Sequence, residues 1–159
     1  MFTALYVAAI PFTNWLFDYV GVLPLPGTSY VFHPLAFLVG FWLVLRDFAH
    51  RELGDKWIFA PVVAGMALSY LTSSPRVATA SALAFLVSEL VDWAVFKYSQ
   101  RPLHQRILVS SAASVPVDSI LFSGIAFGLA TINPVTFSVM LVAKMAGALV
   151  VFEILRRRA

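Results

Sequence analysis

Six apolar stretches, separated by short polar links, dominate the pattern of hydrophobic and polar positions along the chain. They cover residues 1–22, 30–46, 57–72, 77–96, 107–130 and 134–155. Most are close to the roughly 20 residues that an α-helix needs to cross a bilayer, and the second and third are shorter. The apolar residues run continuously instead of alternating with polar ones, which favours helices over strands. The pattern therefore predicts an all-α, polytopic integral membrane protein with six transmembrane helices in a single domain, residues 1–159.

The composition agrees with a membrane protein. The chain has 159 residues, of which 60% are hydrophobic and 12% are charged, whereas soluble domains carry about 25% charged residues. One small core cannot hold so many apolar side chains, so we expect the excess to face the lipid bilayer. The chain contains no cysteine, which excludes disulfides and thiolate metal sites.

The basic residues are concentrated in three segments. Nine of the eleven Lys and Arg lie in the second link (46–56), the fourth link (97–106) and the C-terminal tail. With six spans these segments lie on one side of the membrane, and the positive-inside rule makes that side cytoplasmic. We therefore expect a multi-pass protein of the inner (plasma) membrane with both termini in the cytoplasm. Because this distribution accounts for the net charge of +3, we expect no nucleic-acid partner.

Two acidic segments with a shared pattern lie in the fourth and fifth spans. Each starts with Ser and continues with Val at +3, Asp at +4 and Phe at +8, and the copies Ser88–Phe96 and Ser114–Phe122 are 26 residues apart. At 100° per residue, each helix presents one polar stripe. The stripes are Ser81, Ser88, Glu89 and Asp92 on the fourth helix and Ser110, Ser111, Ser114 and Asp118 on the fifth. We expect them to face each other or a shared cavity, because ionised groups inside a membrane span are costly and usually functional.

Lys144 lies near the middle of the sixth span, and we expect it to contact Asp118 or Glu89. A structural ion pair that locks helices together is the alternative role for this lysine. One lysine cannot neutralise Glu89, Asp92 and Asp118 together. At least one of these carboxylates is therefore protonated, or offset by a bound proton, cation or ligand donor.

A carboxylate without an internal partner can accept two parallel N–H bonds from a planar ligand, such as the amide and amine edge of a guanine-like base. The candidate substrate-binding residues are Asn14, Ser88, Glu89, Asp92, Ser114, Asp118 and Lys144. For Asn14, a polar contact between helices is an equal alternative. Trp15, Trp93 and Phe96 either stack on such a ring or face lipid and neighbouring helices.

The second link is the most polar stretch of the chain. Arg46 and Asp47, which this pattern places at the membrane edge, are candidates for a gate of the cavity. Arg51, Glu52 and Lys56 are interpreted as a solvated cytoplasmic loop with local salt bridges.

The motifs of metal and nucleotide chemistry are missing from the sequence. His33, His50 and His104 have no metal-chelating spacing, and there is no glycine-rich phosphate loop. We therefore expect neither a metal nor another cofactor.

Asp92 and Asp118 on adjacent helices would suit an intramembrane aspartyl protease, but the Gly-x-Gly-Asp sequence of those enzymes is absent, so we expect a protein without enzymatic activity. A purely structural subunit is disfavoured by the surplus of buried acids, and both a single chain and a homo-oligomer fit the pattern.

Three segments resemble motifs of the vitamin-uptake-type family of queuosine precursor transporters. Leu45–Gly54 resembles the first cytoplasmic loop of that family, and Ala82–Asp92 is similar to its fourth-helix motif. Arg106 followed by Ser110–Phe122 is similar to its fifth-helix motif. The resemblance covers roughly residues 30–150, and the first helix is the poorest match.

The resemblance implies a function. Members of such families move deazaguanine precursors of the tRNA base queuosine, or the free base, into the cell. It thus implies an importer of a purine-like small molecule (cyano-deazaguanine, aminomethyl-deazaguanine or queuine) with Glu89, Asp92 and Asp118 at the binding site. The alternative is a substrate-binding membrane subunit of an energy-coupling-factor-type vitamin transporter, which depends on a separate ATP-driven module.

Overall fold

The computed structural model describes residues 1–54, 57, 59–129 and 132–157, apart from the side chain of Phe96. Within these residues the chain forms six α-helices and one short antiparallel hairpin. The helices are α1 (Phe2–Tyr19), α2 (Leu35–Leu53), α3 (Phe59–Thr72), α4 (Pro75–Tyr98), α5 (Leu103–Ala126) and α6 (Pro134–Arg156). The hairpin pairs β1 (Leu23–Pro24) with β2 (Val31–Phe32).

The helical segments follow the predicted apolar spans, with one important difference in α2. The sequence pattern ends the second span at residue 46, but α2 continues through Leu53 and ends at Gly54, whose φ of 73° stops the helix. His50 and Arg51 occupy the last turn, where cations are favourable because of the helix dipole. The predicted boundary is therefore wrong, and Arg46 lies about two turns before the end of the helix.

Three helices have the dimensions of membrane spans. Of the described residues, α5, α6 and the stretch Pro75–Val95 of α4 are long and apolar enough to cross a bilayer. α1 is interrupted by polar residues, α2 carries a charged C-terminal half, and α3 has only 14 residues. At 1.5 Å per residue α3 is about 21 Å long, against about 30 Å for the hydrocarbon core. The protein is thus a helical membrane protein, for which three spans are evident.

One end of the helical bundle is defined by the hairpin. The carboxylate of Asp18, near the end of α1, accepts hydrogen bonds from the backbone N–H (2.7 Å) and hydroxyl (3.0 Å) of Ser74, just before α4. Thr136, in the first turn of α6, donates to the carbonyl of Val31 in β2 at 3.3 Å. We call this the hairpin end.

The opposite end carries the basic links and is called the basic end. There Glu52, in the last turn of α2, accepts hydrogen bonds at 2.8 Å from the backbone and the hydroxyl of Thr3 in α1. Glu52 was interpreted as part of a solvated loop. Its carboxylate is exposed, as that interpretation expected, but Glu52 lies in the last turn of α2 and not in a loop. Lys97 and Arg101 are exposed at this end.

Close contact between α2 and α6 depends on two glycines. A Cβ atom added to Gly147 would lie 2.6 Å from the carbonyl carbon of Gly40, so the two backbones touch where these residues meet. On the outside of the bundle, large apolar side chains are exposed, for example Leu71 at 82% and Val142 at 69%. A surface of this kind is expected to face lipid.

Candidate functional site

A cavity of about 350 Å³ lies at the hairpin end of the bundle. Its walls come from α1, α2, α4, α5 and α6, and residues of the link 22–33 complete them. On α6 the lining residues run from Thr136 to Lys144, so the cavity reaches about three turns into the helix. The cavity is large enough for a small organic molecule, since ligand sites usually measure about 300–1,000 Å³.

Aromatic rings form much of the cavity wall. The ring centroid of Phe17 lies 4.9 Å from that of Phe122 and 4.1 Å from that of His33, and Phe85 and Phe137 also line the space. His33 lies before α2, outside the helices, and burial lowers its pKa below the ordinary value. A neutral imidazole beside phenyl rings suits the stacking of a planar, uncharged ring system.

An ion pair closes the inner end of the cavity. Lys144 Nζ on α6 lies 2.6 Å from Oδ2 of Asp118 on α5, and both side chains are buried and line the cavity. The sequence-based expectation that Lys144 contacts Asp118 or Glu89 is confirmed for Asp118. The pair places an ammonium group with three donors directly beside a carboxylate with several acceptor sites.

Asn14 is the third of the sequence-predicted residues at the cavity. Its Nδ2 donates to the hydroxyl of Ser69 on α3 at 2.9 Å, and that hydroxyl donates to the carbonyl of Gly65. Because the amide nitrogen is directed to α3, the carbonyl oxygen is the polar atom that Asn14 can offer to a ligand. Both roles considered for Asn14, the helix contact and the cavity wall, are therefore compatible with its position.

A second charged group, which we call the Arg46 network, lies nearer the basic end. Arg46 Nε lies 3.2 Å from Glu89 Oε2, and its Nη2 lies 2.5 Å from Asp92 Oδ1 and 3.6 Å from Asp47 Oδ1. The same Nη2 donates to the hydroxyl of Ser114 at 3.5 Å. All four charged side chains are at most 1% exposed. The network therefore joins α2, α4 and α5 in the interior.

The two polar stripes do face the interior, but of their members only Ser81 and Asp118 line the cavity. Their eight members are at most 3% exposed, yet Glu89, Asp92 and Ser114 belong to the Arg46 network and do not line the cavity. The hydroxyl of Ser88 donates to the carbonyl of Phe85 in its own helix. The expectation that Glu89 and Asp92 share the cavity with Asp118 is therefore wrong.

The antiparallel arrangement of α4 and α5 explains this correction. On α4, residues closer to the C-terminus lie farther from the cavity. On α5, residues closer to the C-terminus lie nearer to it. Asp92 lies seven residues beyond the cavity residue Phe85, which is about 10.5 Å along the helix. Asp92 and Asp118 therefore lie at different depths, although they occupy the same position of the repeated pattern.

The structure places several of the residues considered in the sequence differently from expectation. Arg46 was considered as a gate at the membrane edge, but it is the buried cation that neutralises part of the acidic stripe. Phe122 closes the repeated pattern of α5 and does line the cavity, whereas its counterpart Phe96 has a side chain outside the described part of the structure. The ring centroid of Trp15 lies 4.9 Å from that of Tyr19, and Lys97 Nζ lies 4.6 Å from the ring centroid of Trp93. Neither tryptophan lines the cavity.

The fold and the cavity define a helical membrane protein with an aromatic-walled cavity at one end of the bundle. Comparison with known protein families identifies the family of the chain. Residues 28–155 match the family described as putative vitamin uptake transporter, and the chain belongs to that family. The match begins after α1 and includes the hairpin residues from Thr28 onward, together with α2 to α5 and nearly all of α6. Neither a curated protein nor a solved structure matches the chain.

Proposed function

We propose that the chain imports a deazaguanine-type precursor of queuosine, or the free base, and that the ligand binds in the cavity against Lys144 and Asp118. The observation that carries this proposal is the ion pair at the inner end of an aromatic cavity. The carboxylate of Asp118 offers hydrogen-bond acceptors, and the adjacent ammonium group of Lys144 offers hydrogen-bond donors.

The polar edge of a guanine-type base complements this pair. Its ring carbonyl is an acceptor, and the adjacent ring N–H and exocyclic amine are donors. The carbonyl would accept from Lys144 Nζ, while the two donors would meet the oxygens of Asp118. Such charge-assisted bonds are each worth about 1.5–3 kcal/mol. The rings of Phe17 and Phe122 supply an apolar wall for the planar base.

The membrane arrangement follows from the ends of the bundle. We propose that all six helices lie across the inner membrane, with the shorter α3 assisted by its neighbours, and that the basic end is cytoplasmic. The hairpin end, and with it the cavity, would then be reached from outside the cell, as an importer requires.

Purified protein in liposomes, measured with a panel of bases, tests this proposal. We expect binding of cyano-deazaguanine, aminomethyl-deazaguanine or queuine. We expect hypoxanthine, which lacks the exocyclic amine, to bind on the order of 10- to 150-fold more weakly than guanine, because one charge-assisted bond is lost. Equal binding of hypoxanthine, guanine and adenine would contradict the proposed contacts. This comparison changes the ligand and leaves the fold of the protein intact.

A variant tests the same contact from the protein side. Asp118→Asn keeps the shape of the side chain but turns one acceptor oxygen into a donor, which would oppose the N–H groups of the base. Binding should fall at least tenfold, which corresponds to about 1.4 kcal/mol. The matched control is Glu153→Gln, an exposed carboxylate that accepts from Arg156 and Arg157 near the end of α6. Uptake by liposomes that hold only this chain would also separate a complete importer from a substrate-binding subunit that needs an ATP-driven module.

A further inference from the structure

A short chain of hydrogen bonds behind the cavity wall joins α1 to α3. Asn14 Nδ2 donates to the hydroxyl of Ser69 at 2.9 Å, and that hydroxyl donates to the carbonyl oxygen of Gly65 at 2.9 Å. Asn14 lines the cavity, whereas Ser69 and Gly65 do not. The side chains of Asn14 and Ser69 are both buried. Ser69 can therefore act on the cavity only through Asn14.

The order of donors and acceptors determines how the amide of Asn14 is turned. A serine hydroxyl has one proton to donate, and the carbonyl oxygen of Gly65, which can only accept, receives it. The Ser69 oxygen can then only accept, so the end of the Asn14 amide that faces it must be the NH2 group. The carbonyl oxygen of the amide is consequently directed away from Ser69. Without this bond either end of the amide could face the cavity, because the two ends have nearly the same shape.

The carbonyl oxygen of Asn14 is open to the cavity. Within the described part of the chain, the hydrogen bond of the Asn14 side chain is made by its nitrogen. The oxygen is nevertheless not one of the enclosed polar atoms that lack a partner. An amide oxygen that served only to join helices would have a donor on a neighbouring helix, because a buried acceptor without one is costly. The cavity thus receives one oriented acceptor from α1.

Close packing of α1 on α3 holds this acceptor in place. Both helices run toward the hairpin end, and one turn before Asn14 and Ser69 they meet at Ile10 and Gly65. A Cβ atom added to Gly65 would lie 2.6 Å from Ile10 Cδ1, so a larger residue does not fit there without a shift. The two helices cannot slide along each other without losing this fit. Ser69 therefore stays within hydrogen-bonding distance of Asn14.

Asn14 and Asp118 lie at similar depths on facing walls of the cavity. The rings of Phe17 and Phe122, whose centroids are 4.9 Å apart, show that α1 and α5 lie across from each other. Asn14 precedes Phe17 by three residues and Asp118 precedes Phe122 by four, and both helices run toward the hairpin end. Each polar residue is therefore about one turn deeper than the ring pair. Among the described residues no Cα atom of α1 lies within 8 Å of one on α5 or α6, which leaves room for a ligand between the walls.

A deazaguanine base has one ring donor left for this acceptor. In the proposed binding mode, the ring carbonyl and the two donors of the amide edge are bound by Lys144 and Asp118. The remaining N–H belongs to the five-membered ring and lies on the far side of the ring system from the amide N–H. A base that spans the two walls would direct this N–H to Asn14 Oδ1. In a nucleoside the same nitrogen carries the sugar and has no proton.

We propose that Asn14 accepts the N–H of the five-membered ring of the base, and that Ser69 is the positioning residue that keeps the Asn14 oxygen turned toward the ligand. The contact with the base rests on the proposed function, whereas the orientation of Asn14 by Ser69 does not. Together the two residues make the cavity selective for a free base over forms that are substituted at this nitrogen, nucleosides included.

Binding titration with guanine and 9-methylguanine tests the contact, because the methyl group replaces only the proton of the five-membered-ring N–H. In the wild type, 9-methylguanine should bind about 5- to 150-fold more weakly than guanine, since a buried acceptor loses its donor. Asn14→Leu should bring the two affinities together. Equal binding of the two bases by the wild type would overturn the contact. An unchanged preference in Asn14→Leu would also overturn it, because the methyl group would then be excluded by shape alone.

Ser69→Ala tests the positioning role. The amide of Asn14 can then turn its NH2 group to the cavity, where it cannot accept, so the preference for guanine over 9-methylguanine should fall by about threefold or more. Ser73→Ala is the matched control. The Ser73 hydroxyl donates to the carbonyl of Ser69 at 2.7 Å but does not line the cavity, so this variant should keep the wild-type preference. An equal loss of preference in both variants, or a loss in neither, would refute the positioning role.

Thermal unfolding in detergent tests the bond between Asn14 and Ser69 without any ligand. If the two residues act through one hydrogen bond, the unfolding temperature of Asn14→Leu/Ser69→Ala should fall by less than the two single variants predict together. Additive effects would refute the orientation of Asn14 by Ser69. Failure of every base to bind would refute the proposed function and with it the contact to the ring N–H, while the unfolding measurements would still decide the role of Ser69.

Discussion

Lys144 on α6 and Asp118 on α5 form a buried ion pair of 2.6 Å at the inner end of the cavity, whereas Asp92, at the equivalent position of the repeated pattern, is paired with Arg46 from α2. Each aspartate thus has a cation from a different helix. The two pairs also lie at different depths. This arrangement separates the proposed ligand site from the Arg46 network and gives the two groups different expected responses to mutation.

Removal of Lys144 should affect both stability and binding. Lys144→Met leaves the carboxylate of Asp118 buried without its cation, which typically costs about 3–5 kcal/mol. The double variant Lys144→Met/Asp118→Asn should recover most of that stability, because the isolated charge is gone, but it should not recover binding of the base. Thermal unfolding in detergent and binding titration measure the two effects separately.

Lys97→Met is the matched control for this experiment, because Lys97 is an exposed lysine at the basic end. Its contribution should be small, as is usual for an exposed charge. A double variant that is no more stable than Lys144→Met alone would show that Lys144 does not act through Asp118.

Glu89→Gln should separate the Arg46 network from the ligand cavity. Glu89 contacts Arg46 at 3.2 Å and does not line the cavity. We therefore expect the variant to bind the base as tightly as the wild type does, while its unfolding free energy falls by about 1.5–3 kcal/mol. A large loss of affinity with unchanged stability would return Glu89 to the binding site, as the sequence pattern alone suggested.

Much of the bundle could be predicted from the sequence because hydrophobic runs and helical periodicity are local signals. The polar stripes of α4 and α5 follow from 100° per residue, and they do face the interior. A contact of Lys144 with Asp118 or Glu89 could be predicted because an isolated lysine in a membrane span needs a nearby acid, and the structure shows that the partner is Asp118.

The Arg46 network could not be predicted, because it depends on where α2 ends. The charged run after Leu45 resembles a loop in composition, and only the folded helix shows that Arg46 points into the bundle. The depth of each acid also depends on how α4 and α5 are aligned along their axes, which periodicity does not specify. The cavity wall includes link residues such as His33, whose position is set by the hairpin and not by a helical pattern.

The contact of α2 with α6 should tolerate no side chain at Gly147. In Gly147→Ala the new Cβ would lie 2.6 Å from the carbonyl carbon of Gly40, so the two helices would have to separate. Overpacking of this kind typically costs about 1–3 kcal/mol. Because Lys144 lies one turn earlier on α6, binding of the base should weaken as well. Thermal unfolding and binding titration report the two effects.

Gly21→Ala is the control for this prediction, because a Cβ at Gly21 would meet nothing within 4 Å. It should unfold at the wild-type temperature or slightly above, since alanine restricts the unfolded chain. If Gly147→Ala behaved like Gly21→Ala, the close approach of α2 and α6 would be disproved.

The two ends of the bundle should lie on opposite sides of the membrane. Arg46 is buried and does not count as a loop residue, which leaves eight of the nine Lys and Arg that the sequence has in the second link, the fourth link and the tail. Arg76 is at the hairpin end. The positive-inside rule therefore still places the basic end in the cytoplasm.

The chain has no cysteine, so a single engineered thiol reports one position. In intact cells a membrane-impermeant maleimide should label Pro26→Cys, in the exposed hairpin turn, and should label Arg101→Cys only after permeabilisation. Labelling of Arg101→Cys in intact cells, with Pro26→Cys protected, would show the opposite orientation. The cavity would then open to the cytoplasm, which does not suit an importer that captures its ligand from outside the cell.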